Sequence, residues 1–472
     1  MHRHLIALPL AVALFLSAST ARRADAAMTP QDLRKLYERV TPSLVAVQFI
    51  WESELGRREL VGGGIVVADD GLVITSIQMF DLRMPDAQMK EFKIIIPSQT
   101  GEHDEIDAVF QGRDERTQTA FVRPKSTGEH KWTPLKFDEA KVGAGDEIAS
   151  VGLLPKNGGY KSYLTRGMVS ANLRGEFPQV LVVGGGLAGI SSPVFNEQGQ
   201  AVGFVNNQPE HSPFLNGDFR TSLIPLLSPP LFFVPTYDLM QSLKDPPKAG
   251  EQMKLPWLGV PQQAMAGLNK DVAESVGLKD QPAIELGDIL KNSPAEKAGL
   301  KPGDIIVKLN GEALERGDEP EELPSIFSRK IRRMDVGDTV TLSVLEGKDK
   351  ALKDVKVELT ERPRGANLAE RYYSEDLGFG VREMVFMDTY VRKLAPDAKG
   401  VVVSIIKPQS SAAAAKLQGN DLITEMNGEP VAGLEQFKQA FEEIRKAKAK
   451  DALVLVVLRD GNTQTIRIEP PQ

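Results

Sequence analysis

The sequence predicts a mainly β protein, an all-β front domain followed by a duplicated α+β unit, and three observations carry that reading. Short apolar runs broken by turn residues fill the chain from Leu33 to Leu243. A stretch with Pro246, Pro247 and Gly250, residues 244–254, then reads as a linker. Beyond it one motif occurs twice, each time followed by an amphipathic helix and closing strands.

In the front region, Leu44 to Ile50 is one apolar run. Ile65 to Val67 and Leu72 to Thr75 flank Asp69-Asp70-Gly71, and Val194-Phe195 and Ala201 to Val205 flank Gln198-Gly199. Such pairs read as hairpins, because Gly and Asp accept the positive φ of tight turns. Their succession means an all-β barrel or sandwich.

The start of the chain reads as an export signal. His2, Arg3 and His4 precede the apolar stretch Leu5 to Leu16, and Ala24-Asp25-Ala26 offers a cleavage site. The apolar stretch spans about 18 Å as a helix, short of the roughly 30 Å hydrocarbon core. Residues 1–26 are therefore expected to be cleaved, leaving a periplasmic or secreted chain with no membrane span. Of 472 residues, 41% are hydrophobic and 26% charged, as in a soluble globular protein. A net charge of -7 argues against a nucleic-acid partner, and the lack of cysteine excludes disulfides and thiolate metal sites. No spacing of His, Asp or Glu suggests a metal, and no motif suggests a cofactor.

In the repeat, Ser293-Pro294-Ala295-Glu296-Lys297-Ala298-Gly299-Leu300 leads through Gly303-Asp304-Ile305-Ile306 to Asn310-Gly311. The second copy runs from Ser410-Ser411-Ala412 through Leu417, Asp421-Leu422-Ile423 to Asn427-Gly428, with Lys416 and Asn420 where the first has glycine. Both copies resemble PDZ domains, at residues 255–362 and 363–472. Upstream stand Trp257-Leu258-Gly259-Val260 and Leu377-Gly378-Phe379-Gly380, similar to the loop with which PDZ domains hold a peptide's C-terminal carboxylate. That task needs converging backbone N–H groups and a glycine that lets the backbone turn closely. The resemblance implies peptide-binding positions at Leu258, Gly259, Val260 and Ile326, and at Leu377, Gly378 and Phe379. The ligands would be polypeptide C-termini or unfolded proteins. Arg329, Lys330, Arg332 and Arg333, on the helix bordering the first groove, suggest a modest preference for acidic residues upstream of the terminus.

Ahead of two such domains, the front region, residues 27–243, is similar to the HtrA/Deg family of serine proteases. The likeness rests on Val40-Thr41-Pro42-Ser43-Leu44-Val45, on Gly63-Gly64-Ile65-Val66 through Thr75, on Thr165-Arg166-Gly167-Met168-Val169-Ser170, and on Phe232-Phe233-Val234-Pro235. It implies a chymotrypsin-like double β-barrel with the active site between the barrels, assembly as a trimer, and a role in protein quality control. The family's catalytic positions do not carry over. Gln78 stands at the histidine, Gln118 at the aspartate, and Ile190 at the serine, with Ser191 and Ser192 following. Glutamine cannot accept a proton near neutral pH, and loss of a complete triad costs roughly a million-fold in a dissected serine protease. The expectation is a pseudoprotease, not an enzyme, that binds polypeptides as a scaffold, chaperone-like or regulatory protein. The alternatives are an active endopeptidase with a non-standard site, using Ser191 or Ser192, or an inactive regulatory subunit of an active relative. His103, His130 and His211 read as loop residues.

Overall fold

The computed structural model describes residues 28–471 apart from 81–83, 99–102, 127, 129, 207, 209–213, 216–228, 251–252, 279–280, 318, 347–350, 396 and 448–450. The expected export segment and His211 lie outside the described residues. Among the described residues no helix is long and apolar enough to cross a membrane, and no cluster of His, Asp or Glu could hold a metal ion.

The chain enters through helix α1 (Pro30–Val40). Thr29 caps it, accepting from Asp32 N while the Asp32 carboxylate returns to Thr29 N, and Pro30 sits where its missing N–H costs nothing. Two closed six-stranded barrels follow. The first is ordered β1-β2-β3-β6-β5-β4, with β1 Leu44–Ser53, β2 Gly56–Val66, β3 Val73–Ser76, β4 Met89–Ile96, β5 Asp104–Asp114 and β6 Thr119–Pro124. The second is ordered β10-β11-β12-β9-β8-β7, with β7 Glu147–Leu153, β8 Ser162–Leu173, β9 Gln179–Val183, β10 Pro193–Phe195, β11 Ala201–Phe204 and β12 Phe232–Pro235. Closure removes the sheet edges that an open all-β domain would expose. The hairpins read from sequence are there: Ile65 and Val66 pair with Ile74 and Val73, and β10 pairs with β11.

Each barrel has its own interior. Phe49, Phe80, Phe92 and Phe110 pack ring on ring in the first, with Phe49 and Phe92 stacked 5.3 Å apart. Val169, Val180, Val182 and Phe233 fill the second. A third cluster joins the barrels: Leu44, Val61, Ile74 and Phe121 from one meet Val151, Phe195 and Phe204 from the other, and α1 adds Leu36 and Val40. The cleft between the barrels is therefore built on a rigid apolar floor. Helix α2 (Thr236–Lys244) closes the front domain.

Two α+β domains complete the chain. In the first, β13 (Pro256–Trp257) pairs with β20 (Thr360–Glu361). The main sheet runs β14-β15-β16-β18-β19, comprising Met265–Gly267, Ile284–Leu286, Ile305–Leu309, Thr339–Glu346 and Ala351–Glu358, with β17 (Glu312–Ala313) on β16. Helix α3 (Leu323–Arg332) covers it with Leu323, Phe327 and Ile331. The second domain has a sheet β21-β22-β23-β24-β26-β27, comprising Arg371–Ser374, Phe379–Glu383, Val401–Ile406, Leu422–Met426, Leu453–Arg459 and Asn462–Ile468, with β25 (Glu429–Pro430) on β24. Helix α4 (Leu434–Ala447) buries Phe437 and Phe441 against it. A mainly β chain with a double barrel ahead of two α+β domains is the architecture expected from the sequence.

Candidate functional site

The cleft is assembled from the end of β3, the β5–β6 turn and the turn before β10. Ser76 ends β3 and caps a single 3-10 turn, Ile77–Met79, that carries Gln78. Gln78 Oε1 accepts from Gln208 N at 3.2 Å, and Gln208 Nε2 in turn donates to the carbonyls of Asn206 and Phe232. Ser76 Oγ donates to Asn206 Oδ1 at 2.5 Å, and Asn206 Nδ2 donates to Gln118 O at 2.6 Å. Gln118 itself has a positive φ of 57° and folds its side chain back onto Glu115 O, at 3.1 Å. Asp114 nearby is fully buried and committed to the Arg116 guanidinium and the Ser242 hydroxyl. The two glutamines thus serve a hydrogen-bonded net that ties the barrels together.

Ile190 is buried and offers no hydroxyl. The residue that reaches the end of β3 is Ser191, held at a φ of 70° by the bond from its N–H to Val205 O. Its Oγ accepts from Ser76 N at 2.9 Å and lies 3.1 Å from Thr75 Oγ1. The sequence register put Ile190 at the serine position; the neighbouring hydroxyl that bonds to the end of β3 is that of Ser191, which is buried as well. Of the imidazoles, His103 accepts from Ser98 N and edges onto Tyr160, and His130 edges onto Trp132. Behind the turn, the Tyr163 hydroxyl accepts from Gly189 N at 2.8 Å, and burial pushes its pKa above the usual tyrosine range.

In the first α+β domain, the loop Leu258-Gly259-Val260 is fixed by its carbonyls. Leu258 O accepts from Ala295 N at 2.9 Å and Gly259 O from Leu290 N at 3.0 Å. The N–H groups of all three residues make no hydrogen bond among the described residues. Gly259 has a φ of +90°, and a Cβ there would sit 2.1 Å from Ser293 Cβ, so glycine is the one residue that fits. Below the loop opens a cavity of about 130 Å³ with Leu258, Val260, Met265, Phe327 and Ile331 as its apolar lining and Arg332 and Arg362 at its side. Ile326, expected to line this pocket, is buried but does not reach it; Phe327, one position on, takes that role. The helical rotation that brings Leu323, Phe327 and Ile331 onto one face explains the difference. Beyond the loop the edge is not a plain strand. Pro261 has no N–H, Gln262–Ala264 is a 3-10 turn, and Gln262 Nε2 crosses to Ser325 Oγ on α3 at 2.8 Å.

The basic face of α3 is spent on the front domain. Arg329 Nη1 donates to Gly175 O at 2.7 Å, Arg332 pairs with Glu176 and lies 4.4 Å over the Phe177 ring, and Arg333 pairs with Asp238 of α2. Lys330 pairs with Glu315. Burial pulls the pKa of Arg332 and Arg333 below the ordinary arginine value, against the Coulombic pull of Glu176 and Tyr237 respectively. These arginines do not offer a free basic rim to a ligand, which corrects the expected preference for acidic peptides.

In the second domain the corresponding loop is already engaged: Gly378 N donates to Ser374 O at 2.9 Å. Leu377 and Phe379 are buried in that domain's core. Gly378 borders a cavity of about 620 Å³ with Asp376, Lys407 and Ser410, but Leu377 and Phe379, expected beside it at a peptide site, do not line that cavity.

Residues 62–204 match the trypsin-like peptidase domain family, and residues 287–323 and 376–469 each match PDZ domains. One trypsin-like domain followed by two PDZ domains is the arrangement of the HtrA/Deg proteases, which the chain resembles. Three relatives named "Probable periplasmic serine endoprotease DegP-like" are similar along most of its length. That of Bartonella henselae is 27% identical, covering 90% of this chain and 77% of its own. Those of Hahella chejuensis and Pseudomonas putida (strain F1) are each 28% identical, covering 85% and 86% of this chain and 78% of their own. Among solved structures, the HtrA-type protease AlgW with a decapeptide has a TM-score of 0.50 at 16% identity, covering 71% of this chain and 99% of that one. At that identity the likeness shows the fold. The relatives' names overturn the expectation that the chain is not an enzyme: proteins matched over 85–90% of it are named serine endoproteases, with no sign of inactivation among them. That expectation assumed Ile190 at the nucleophile position and a histidine as the sole means of activating a serine.

Proposed function

We propose that this chain is a periplasmic HtrA/Deg-type serine endopeptidase with a non-standard site, which captures polypeptides by their free C-termini in its first PDZ domain. The observation that carries capture is the set of unengaged N–H groups of Leu258, Gly259 and Val260 above an apolar cavity. A carboxylate placed there accepts charge-assisted hydrogen bonds, and an apolar last side chain fills the cavity beneath. The relatives' names support export and endoproteolysis, and the family resemblance adds assembly through the front domains.

For the cleft, the hydroxyl we assign to the reaction is Ser191. A backbone N–H aimed at its oxygen, from Ser76, favours the anionic form that attacks a carbonyl. The amide side chains at 78 and 118 cannot take its proton, so the base differs from the family's. The test is a fluorophosphonate probe and an unfolded substrate such as casein on the full chain and on Ser191→Ala. Labelling and turnover that vanish together in the variant are expected. Turnover that survives it, or no labelling of the wild type, removes Ser191 from the reaction and leaves capture to be judged by peptide binding alone.

A further inference from the structure

We infer that the segment Arg371–Ser374 is the ligand of the second PDZ groove, laid in place by the chain itself. The inference rests on the PDZ reading above. A PDZ ligand adds as an antiparallel strand along the strand that follows the Leu-Gly loop, between it and the last helix, with its C-terminal end at the loop. β21 meets each condition. It pairs antiparallel with β22, Tyr372 opposite Val381, Tyr373 opposite Gly380 and Ser374 opposite Phe379. The other edge of β22 is taken by β23, so β21 holds the one edge a ligand could use. Its C-terminal residue, Ser374, lies against Phe379, the first residue of β22.

The helix side is filled as well. The Tyr372 ring lies 5.8 Å from Phe441 and 6.5 Å from Phe437, both on α4. The loop donors are used by the same segment. Gly378 N donates to Ser374 O, and Leu377 N donates to Ser374 Oγ at 3.4 Å, so a carbonyl and a hydroxyl stand where a carboxylate would. The connecting turn is clipped to α4: Arg445 Nε donates to Asp376 Oδ2 at 2.8 Å, and Ser374 Oγ donates to Asp376 Oδ1 at 2.5 Å. The match to the PDZ family begins at residue 376, after β21. A tethered segment acts at an effective concentration of the order of millimolar, so a free peptide at micromolar concentration does not displace it. Peptide capture then falls to the first groove.

Hydrogen exchange read by mass spectrometry on the full chain tests this, with the free-acid peptide Leu-Ala-Glu-Arg-Tyr-Tyr-Ser, the sequence of residues 368–374, as probe. In the wild type, amides 371–374 should exchange slowly and the peptide should leave 379–383 unchanged. Tyr372→Asp should speed exchange at 371–374 about tenfold and let the peptide slow it at 379–383, while Tyr372→Phe behaves as the wild type. Arg445→Ala, which only frees the turn from α4, should shift 371–374 in the same direction by less. Rapid exchange at 371–374 in the wild type overturns the inference without any variant. So does a released segment whose groove still ignores the peptide. Capture by the first domain is read separately, with a free-acid peptide ending in Val: should that peptide fail to protect 258–260 and 323–332, capture by the first domain fails, and the second groove is still read from its own amides.

Discussion

The two PDZ domains carry the same loop and the same repeat, yet only one leaves the loop open. In the first, the residues before the loop, Pro256-Trp257, pair with β20 and line one side of the cavity beneath the loop without covering it. In the second, Arg371–Ser374 doubles back onto β22 and uses the loop's own amides. The difference lies in where about four residues go, and it separates an open binding site from a closed one. Motif and loop define the capacity to bind; the preceding segment decides whether it is free.

The sharpest way to break this comparison is to put a β-branched residue at each loop glycine. At Gly259 a Cβ meets Ser293 Cβ at 2.1 Å, and at Gly378 it meets Ser410 Cβ at 2.3 Å, both at positive φ. Strain and overpacking together cost about 3 kcal/mol. Gly259→Val should therefore abolish peptide binding measured by fluorescence anisotropy, a loss of about a hundredfold. Gly378→Val should lower the thermal stability of the second domain and leave peptide affinity as it was. Equal losses of binding at the two sites would show that both grooves take the ligand.

A smaller effect comes from the ligand side. Amidating a peptide's C-terminus removes charge-assisted bonds to the loop, each worth about 1.5–3 kcal/mol, so affinity for the full chain should fall roughly tenfold or more. A second, weak binding phase that amidation does not touch would place a ligand outside the first loop.

Much of this was legible in the sequence. Leu258-Gly259-Val260 and the intact repeat from Ser293 led to the open pocket because a glycine at positive φ and a capping serine are local requirements. The hairpins at Asp69-Asp70-Gly71 and Gln198-Gly199 led to the barrels for the same reason. What escaped reading depends on contacts distant in the chain. Phe327 rather than Ile326 faces the cavity because of how α3 rotates on the sheet. Ser191 rather than Ile190 meets the end of β3 because of the left-handed turn at Ser191, which the register of one motif could not reveal. The sequence reading assigned nothing to Arg371–Ser374, because its pairing with β22 depends on where the chain turns before the loop.

The domains should also differ in acid. In the second, Asp388 is buried and bonded to Arg382 at 2.6 and 2.9 Å and to Arg392 at 3.0 Å. Burial raises its pKa, but the bonds from Arg382, Val385 N and Arg392 outweigh that and hold it below the usual aspartate range. A depressed folded-state value contributes stability that is present above the unfolded pKa and is lost as pH falls through the folded one. In the first domain the short helix Lys270–Ser275 carries Asp271 exposed instead. Acid unfolding below about pH 4 should therefore weaken the second domain more, and Asp388→Asn should lower stability at neutral pH and flatten that dependence. Identical acid profiles for wild type and variant would show that the ion pair does not couple to folding.

The smallest effect concerns charge beside the first groove. Arg329, Lys330, Arg332 and Arg333 form a basic helix face, which by itself would draw acidic ligands. Each is instead occupied, by Gly175 O and Glu315, by Glu315, by Glu176 and by Asp238 respectively. Matched peptides with Asp or Lys upstream of the same apolar terminus should thus bind the full chain within about a factor of two, since a paired charge adds little at a surface. Glu176→Ala frees Arg332 without removing it. A preference for the acidic peptide should then appear, about fivefold or less, the size of one exposed ion pair, and it should shrink as salt is added. A strong acidic preference already present in the wild type would mean that α3 is not held by the front domain in solution, and that the arginines turn to the ligand instead.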